Sequence, residues 1–274
     1  MTAASLLERL NDLSPVGSLP RALEELYDGG LAIPSPCLYV NFVTSVDGVV
    51  AVEERRNSGS VISGHNRADR FLMGLLRAFA DAVLVGAGTV RAEGRGARWT
   101  PDFVYPDAAA GFMELRARLN LPAQPRLAIL TAGGELDATQ PALQEGPIVL
   151  APSGTAATLR RELPSGCEVV APGGEERVDL RLALDALRQR GYRRILCEGG
   201  PNTFGELLRQ RLVDELFLTV SPVLAGRDQG GDRLGLVQGA HFPAGRFPSM
   251  ELRGVRRSGS HLFLRYRLDH ASAR

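Results

Sequence analysis

Residues 193–208 read RRILCEGGPNTFGELL, and the order of residue types in that stretch decides the architecture. Ile195, Leu196 and Cys197 form a short unbroken apolar run, as expected of a strand buried on both faces. Gly199 and Gly200 end it, and Pro201 stands where a helix takes its first residue. Upstream, CLYVNFVTSVDG (37–48), DAVLVGAGT (81–89), RLAILTAGG (126–134), GPIVLAPS (146–153) and CEVVAPGG (167–174) are further apolar strands with Gly- or Pro-bearing exits. Helical spacing lies between them at 66–80, 154–163, 179–190 and 202–212; in the first of these Phe71, Leu72, Leu75, Leu76 and Phe79 share one stripe. Such alternation predicts an α/β fold with a largely parallel sheet.

Downstream the pattern changes. VDELFLTVSPVLAG (213–226) reads as one long strand, and MELRGVRRSGSHLFLRYRL (250–268) as a hairpin about Ser258-Gly259-Ser260, so the sheet is mixed. SLLERLNDL and PRALEELYD predict helical pieces within residues 1–36, an extension packed on a single domain over 37–274. Residues 94–125, which hold Trp99, read as a long irregular connection, which in a compact domain is a binding loop, a lid or a disordered segment.

Composition removes several functions. At 44% hydrophobic and 23% charged the 274 residues support a closed core, and a formal charge of +1 gives no bulk attraction to nucleic acid or anionic membrane. All 32 basic residues are arginine, which excludes Schiff-base lysines and the lysine of a phosphate loop. Cys37, Cys167 and Cys197 lie far apart without C-x-x-C, and His65, His241, His261 and His270 have no metal spacing, so no metal is expected. No secretory leader or membrane span is read, and a cytoplasmic location is expected.

Three strand exits carry possible chemistry. At Glu198-Gly199-Gly200-Pro201-Asn202-Thr203-Phe204 a helix start faces outward, which suits a pyrophosphate or else is a plain strand-to-helix turn. At Gly86-Ala87-Gly88-Thr89 the threonine is a phosphate ligand or a helix cap. Asp47 before Gly48 shapes a turn or, in company, serves the reaction. Arg77, on the apolar helix, reaches a pocket mouth or pairs with an acid.

In order, TSVDG (44–48), ISG (62–64), DAVLVGAGTVRAEG (81–94), RRILCEGGPNTFGELL (193–208) and VDELFLTVSPVLAG (213–226) resemble the reductase domain that follows the deaminase in the bifunctional riboflavin-biosynthesis enzyme. The H-x-E and P-C-x-x-C signature of the deaminase is not in the sequence. The resemblance implies a dihydrofolate-reductase-like three-layer α/β fold with a mixed, mostly parallel central sheet and a C-terminal β-hairpin. It also implies an NADPH-dependent reductase of a pyrimidine- or pterin-like molecule, foremost 5-amino-6-(5-phosphoribosylamino)uracil. The alternatives are activity on another heterocycle, or a non-catalytic nucleotide-binding protein.

By resemblance, Val43, Thr44, Gly86, Thr89, Glu93, Gly199, Gly200, Asn202, Thr203 and Phe204 border NADPH. Asn41, Arg77 and Arg95, or Arg98 in its place, contact the substrate, Glu198 anchors its polar edge, and Asp47 or a water carries the proton. This chain departs from the family in three places: Asn41 replaces a usual lysine, Ala92 to Arg98 replace D-D-P-x-L-x-x-R, and 131–134 hold no arginine for a 2′-phosphate. A homodimer is expected, on the family's habit and on edge strands that a monomer would leave open.

Overall fold

The apolar runs that end in glycine or proline pair edge to edge, and the computed structural model describes them within residues 5–13, 17–52, 58–94, 96–228 and 231–269. In chain order the strands are β1 (Glu8–Asp12), β2 (Cys37–Thr44), β3 (Val49–Ala51), β4 (Ala82–Gly86), β5 (Arg126–Leu130) and β6 (Ile148–Leu150). They continue as β7 (Glu168–Val170), β8 (Arg194–Cys197), β9 (Glu215–Val220), β10 (Leu234–Gly235), β11 (Met250–Ser258) and β12 (His261–Leu268). The helices are α1 (Arg21–Tyr27), α2 (Ser58–Ser63), α3 (Arg67–Phe79), α4 (Ala87–Glu93), α5 (Pro101–Val104), α6 (Ala109–Arg118), α7 (Pro141–Gln144), α8 (Ser153–Glu162), α9 (Leu180–Gln189) and α10 (Pro201–Arg209).

Ten strands form one sheet in the order β1-β11-β12-β9-β2-β8-β4-β5-β6-β7. From β9 to β7 every neighbouring pair is parallel, and β12, β11 and β1 add antiparallel strands. One face packs on Phe71, Leu72, Leu75 and Leu76 of α3 and Phe112 of α6. The other packs on Leu184 and Leu187 of α9 and Phe204 and Leu207 of α10. No helix among the described residues is long and apolar enough to cross a membrane.

Three expectations are corrected. Residues 8–12 are a strand rather than a helix, because β1 satisfies the open backbone edge of β11 and long-range pairing overrides helix propensity. Buried Arg256 of β11 secures it, donating 2.8 Å to Asp12 Oδ1 while its guanidinium lies 3.7 Å from the Tyr27 ring centroid. The run 213–226 is strand only over β9, since Pro222 lacks the amide a ladder needs. With β9 inside the sheet and β11 covered by β1, neither is the open edge from which the dimer was argued.

Residues 96–125 are ordered into α5, a 3₁₀ turn over Pro106–Ala108 and α6. Phe112 stacks on Phe71 with centroids 6.2 Å apart, and α3 and α6 approach so closely that a Cβ on Gly74 would lie 2.8 Å from Phe112. Arg116, 1% exposed, sends Nη1 to the carbonyls of Arg77, Ala78 and Ala80, closing the C-terminal end of α3.

Candidate active site

The site is built where β2, β8 and β4 end side by side. Val40 pairs with Cys197 and Cys197 with Leu84, so the next residues, Asn41, Glu198 and Val85, form a row across three strands. Val40, Cys197 and Leu84 face α9 and α10, which turns that row toward α3.

Glu198 meets Arg77 of α3 there. Arg77 Nε donates to Oε1 at 2.9 Å and Nη2 to Oε2 at 2.7 Å, with the two side chains 7% and 9% exposed. The third guanidinium nitrogen, Nη1, donates to the carbonyls of Arg98 at 3.1 Å and Thr100 at 3.4 Å. Every nitrogen of Arg77 is engaged within the protein, so of its two readings the pairing with an acid is the one the fold shows: it orients Glu198 and ties down the 98–100 segment. Glu93 at the end of α4 completes the group. One side of it is open to solvent, while enclosure of the other pushes its carboxyl above the usual value; Glu198 adds to that rise and Arg77 opposes it.

Beside this pair, the starts of α4 and α10 converge. A Cβ on Gly86 would lie 3.9 Å from both Thr89 Oγ1 and Thr203 Oγ1, so two hydroxyls from two helices face one glycine. Gly199 fits against Thr203, whose Cβ would stand 3.1 Å from an added methyl, whereas Gly200 opens onto free space. Gly200 is the N-cap of α10 and no side chain caps that end. Phe204 donates its amide to the Gly200 carbonyl at 3.1 Å, so Asn202 and Thr203 hold the first-turn amides that the helix does not use. An uncapped helix start, an open glycine and two hydroxyls fit a phosphate of a dinucleotide. The Phe204 side chain belongs to the core: it is 1% exposed and packs on Phe42 with centroids 5.3 Å apart.

At the end of β2 the expected contacts turn inward. Val43 packs with Val49 and Ile62, and the Thr44 hydroxyl donates to the carbonyls of Ser45 and Val49. Asp47 takes up the turn-shaping one of its two readings. It accepts from Ser45 Oγ at 2.6 Å and from the amides of Ala225 and Gly226 at 3.0 and 2.7 Å, and these bonds hold its pKa well below the usual carboxylate range. It braces the 221–226 segment against a turn that Gly48, at φ +86°, completes. Arg95 lies outside the described residues.

One residue at this end escaped the sequence argument. Arg91 of α4 donates from Nη1 to the Glu135 carbonyl at 2.8 Å, with Nη2 3.9 Å from a Cβ built on Gly88. It puts a guanidinium beside the loop after β5, the loop whose own residues hold none. Thr89 and Arg91 sit in the same helix, but only the folded backbone shows that the second reaches the loop after β5. An open depression of about 620 Å³ elsewhere, lined by Glu175, Arg177, Glu206 and Arg209, touches none of these groups.

The chain is 31% identical over 196 residues to the 2,5-diamino-6-ribosylamino-4(3H)-pyrimidinone 5′-phosphate reductase of Archaeoglobus fulgidus, covering 70% of this chain and 84% of the relative. It is 32% identical over 207 residues to the enzyme of the same name from Methanothermobacter thermautotrophicus, covering 74% and 84%. In fold it is similar to a pyrimidine reductase-like protein of Corynebacterium diphtheriae, with a TM-score of 0.68 at 23% identity over 93% of this chain and 96% of that one. The mixed, mostly parallel α/β sheet with a C-terminal hairpin that the resemblance implied is the one found. Residues 36–264, which span every strand from β2 to β9 and most of the hairpin, match the model of the RibD C-terminal domain, and the chain belongs to that family.

Proposed function

We propose that this chain is an NADPH-dependent reductase of a ribosylaminopyrimidine 5′-phosphate, with residues 37–274 as its reductase domain. The observation that carries the proposal is the uncapped start of α10, open at Gly200 and set directly beyond the Arg77–Glu198 pair. Amides of Asn202 and Thr203 with the hydroxyls of Thr89 and Thr203 would hold the diphosphate, and Arg91 would meet the 2′-phosphate that separates NADPH from NADH. When bound, the reduced nicotinamide supplies the hydride that turns the ribose carbon into the first carbon of a ribityl chain. Glu198, fixed by Arg77, presents a carboxylate edge to the N–H groups of a pyrimidine. Asn41 lies next to it in the same row as a neutral polar contact where an ammonium is absent. Positioning of the two reactants is the protein's main contribution.

Relatives named for the 2,5-diamino compound favour that substrate over the uracil expected from the sequence. The two differ at one ring position, amino against oxo. Mixing the protein with NADPH and each compound in turn, and following nicotinamide absorbance, tests the reading. Oxidation of NADPH with the diamino compound is the expected result. Tight NADPH binding with no oxidation by either compound would make the chain a nucleotide-binding relative instead.

A further inference from the structure

Asp69 is a buried carboxyl for which the reaction outlined above has no use. It occupies the first turn of α3, 6% exposed, two helical turns before Arg77 and on the same face at i, i+4, i+8 spacing through Met73. A first-turn aspartate ordinarily serves the helix dipole from the surface. This one points inward, toward the Ser63 and Thr219 hydroxyls and His261. Burial raises its pKa to about 6, against the smaller lowering effects of Thr219, His261 and Ser63.

The surroundings are polar and organised. Asn66 caps α3, accepting on Oδ1 from the amides of Ala68 at 2.8 Å and Asp69 at 3.1 Å; its Nδ2 then donates to His261 Nδ1 at 3.0 Å. That leaves His261 Nε2 to donate to the Ser63 carbonyl at 3.0 Å, with Ser221 Oγ 3.3 Å away. Thr219 is fully buried, and its hydroxyl faces Asp69 too loosely for a hydrogen bond of ordinary geometry, so it has no partner. Thr219 pairs in register with Val43, and on β2 Asn41 lies two residues before Val43, on the same face. His261 is the titratable group that faces Asp69 from β12; α2 offers Ser63 and β9 offers Thr219, both neutral.

We propose, on the reductase reading above, that Asp69 is a proton-storing positioning residue, acting through the Thr219 hydroxyl on a substrate bound over Asn41. Opening the ribose by reduction breaks its ring C–O bond; the carbon takes the hydride and the oxygen takes one proton. Asp69 gives its proton to Thr219 as Thr219 gives its own to that oxygen. Thr219 is unchanged, and Asp69 is left as carboxylate until solvent recharges it. Donation needs the protonated acid, so turnover falls as pH rises through about 6.

The test compares parent, Asp69→Asn and Thr219→Val by unfolding midpoint, KM for NADPH and kcat against pH. The expected result is kcat lowered about 100-fold in both variants with KM for NADPH within about twofold, and loss of the limb near pH 6 in Asp69→Asn. Thr219→Val replaces one hydroxyl by a methyl and answers the question if Asp69→Asn does not fold. Parent-like kcat in either folded variant, or an unaltered limb in Asp69→Asn, overturns the proposal. If the parent turns over neither pyrimidine, the reductase reading fails on its own account. The ¹³C carboxyl signal that vanishes in Asp69→Asn then decides the proton store separately, and completion of its titration below about pH 5 overturns it.

Discussion

Arg77 and Glu198, 121 residues apart in sequence, hold each other through two side-by-side hydrogen bonds of 2.9 and 2.7 Å. A helix on one face of the sheet thereby fixes the carboxylate that begins the loop into α10. Because both side chains are almost wholly buried, removing one strands the other's charge. Arg77→Met is expected to cost about 3–5 kcal/mol of stability, read from urea unfolding, and Arg77→Met combined with Glu198→Leu to recover most of it. A single variant as stable as the parent would show that water reaches the pair freely.

Arg91 makes a separate prediction about coenzyme choice. Its guanidinium lies beside the loop after β5 and gives one nitrogen to the Glu135 carbonyl. Arg91→Ala should raise KM for NADPH about tenfold, equivalent to ~1.4 kcal/mol, and leave KM for NADH unaltered. Equal losses for both coenzymes would place the arginine on the shared part of the dinucleotide.

Asp47 governs behaviour in acid. Three hydrogen bonds stabilise its ionised form in the folded chain, so its folded pKa lies below the unfolded value of about 3.9. The stability it contributes is complete above that unfolded value and is lost as pH falls toward the folded one. Asp47→Asn should therefore be less stable than the parent at neutral pH, with the gap closing below about pH 4. A gap that stays constant down to the acid transition would assign the effect to shape rather than charge.

Strands β2 and β4 to β8 were legible because a strand buried on both faces needs an apolar run and a glycine or proline exit, and both are local properties. The open helix start at which a dinucleotide phosphate is proposed was legible for the same reason: Gly199, Gly200, Pro201 and Thr203 are consecutive or nearly so. What escaped depends on partners distant in sequence. ERLND has no strand pattern and becomes β1 only by meeting the edge of β11. The order in 96–125 comes from Phe112 on Phe71 and from Arg116 reaching carbonyls 36 to 39 residues back. Asp47 and Arg77 were legible only as polar groups near a strand end and a helix end. Their duties followed from the Ala225, Gly226, Arg98 and Glu198 atoms they meet, which no spacing rule encodes.

The expected dimer has a better basis than the edges first invoked for it. On β9 and β12, Leu218 and Val220 stand opposite Leu264 and Leu262, and Val255 of β11 stands opposite Leu264. They share the face turned away from Phe217 and Phe263, which are buried against α3. Leu218, Val220, Val255 and Leu264 are half-buried and Leu262 is 37% exposed, an apolar strip of a kind that a monomer seldom leaves in water. A second copy laid on the same strip by a two-fold axis would cover both at once. Light scattering should give twice the 29.4 kDa chain mass, and Leu264→Glu should give the single mass with unchanged far-ultraviolet circular dichroism. A parent that runs as one chain at every concentration would leave the strip to another occupant, and a dimeric Leu264→Glu would move the interface elsewhere.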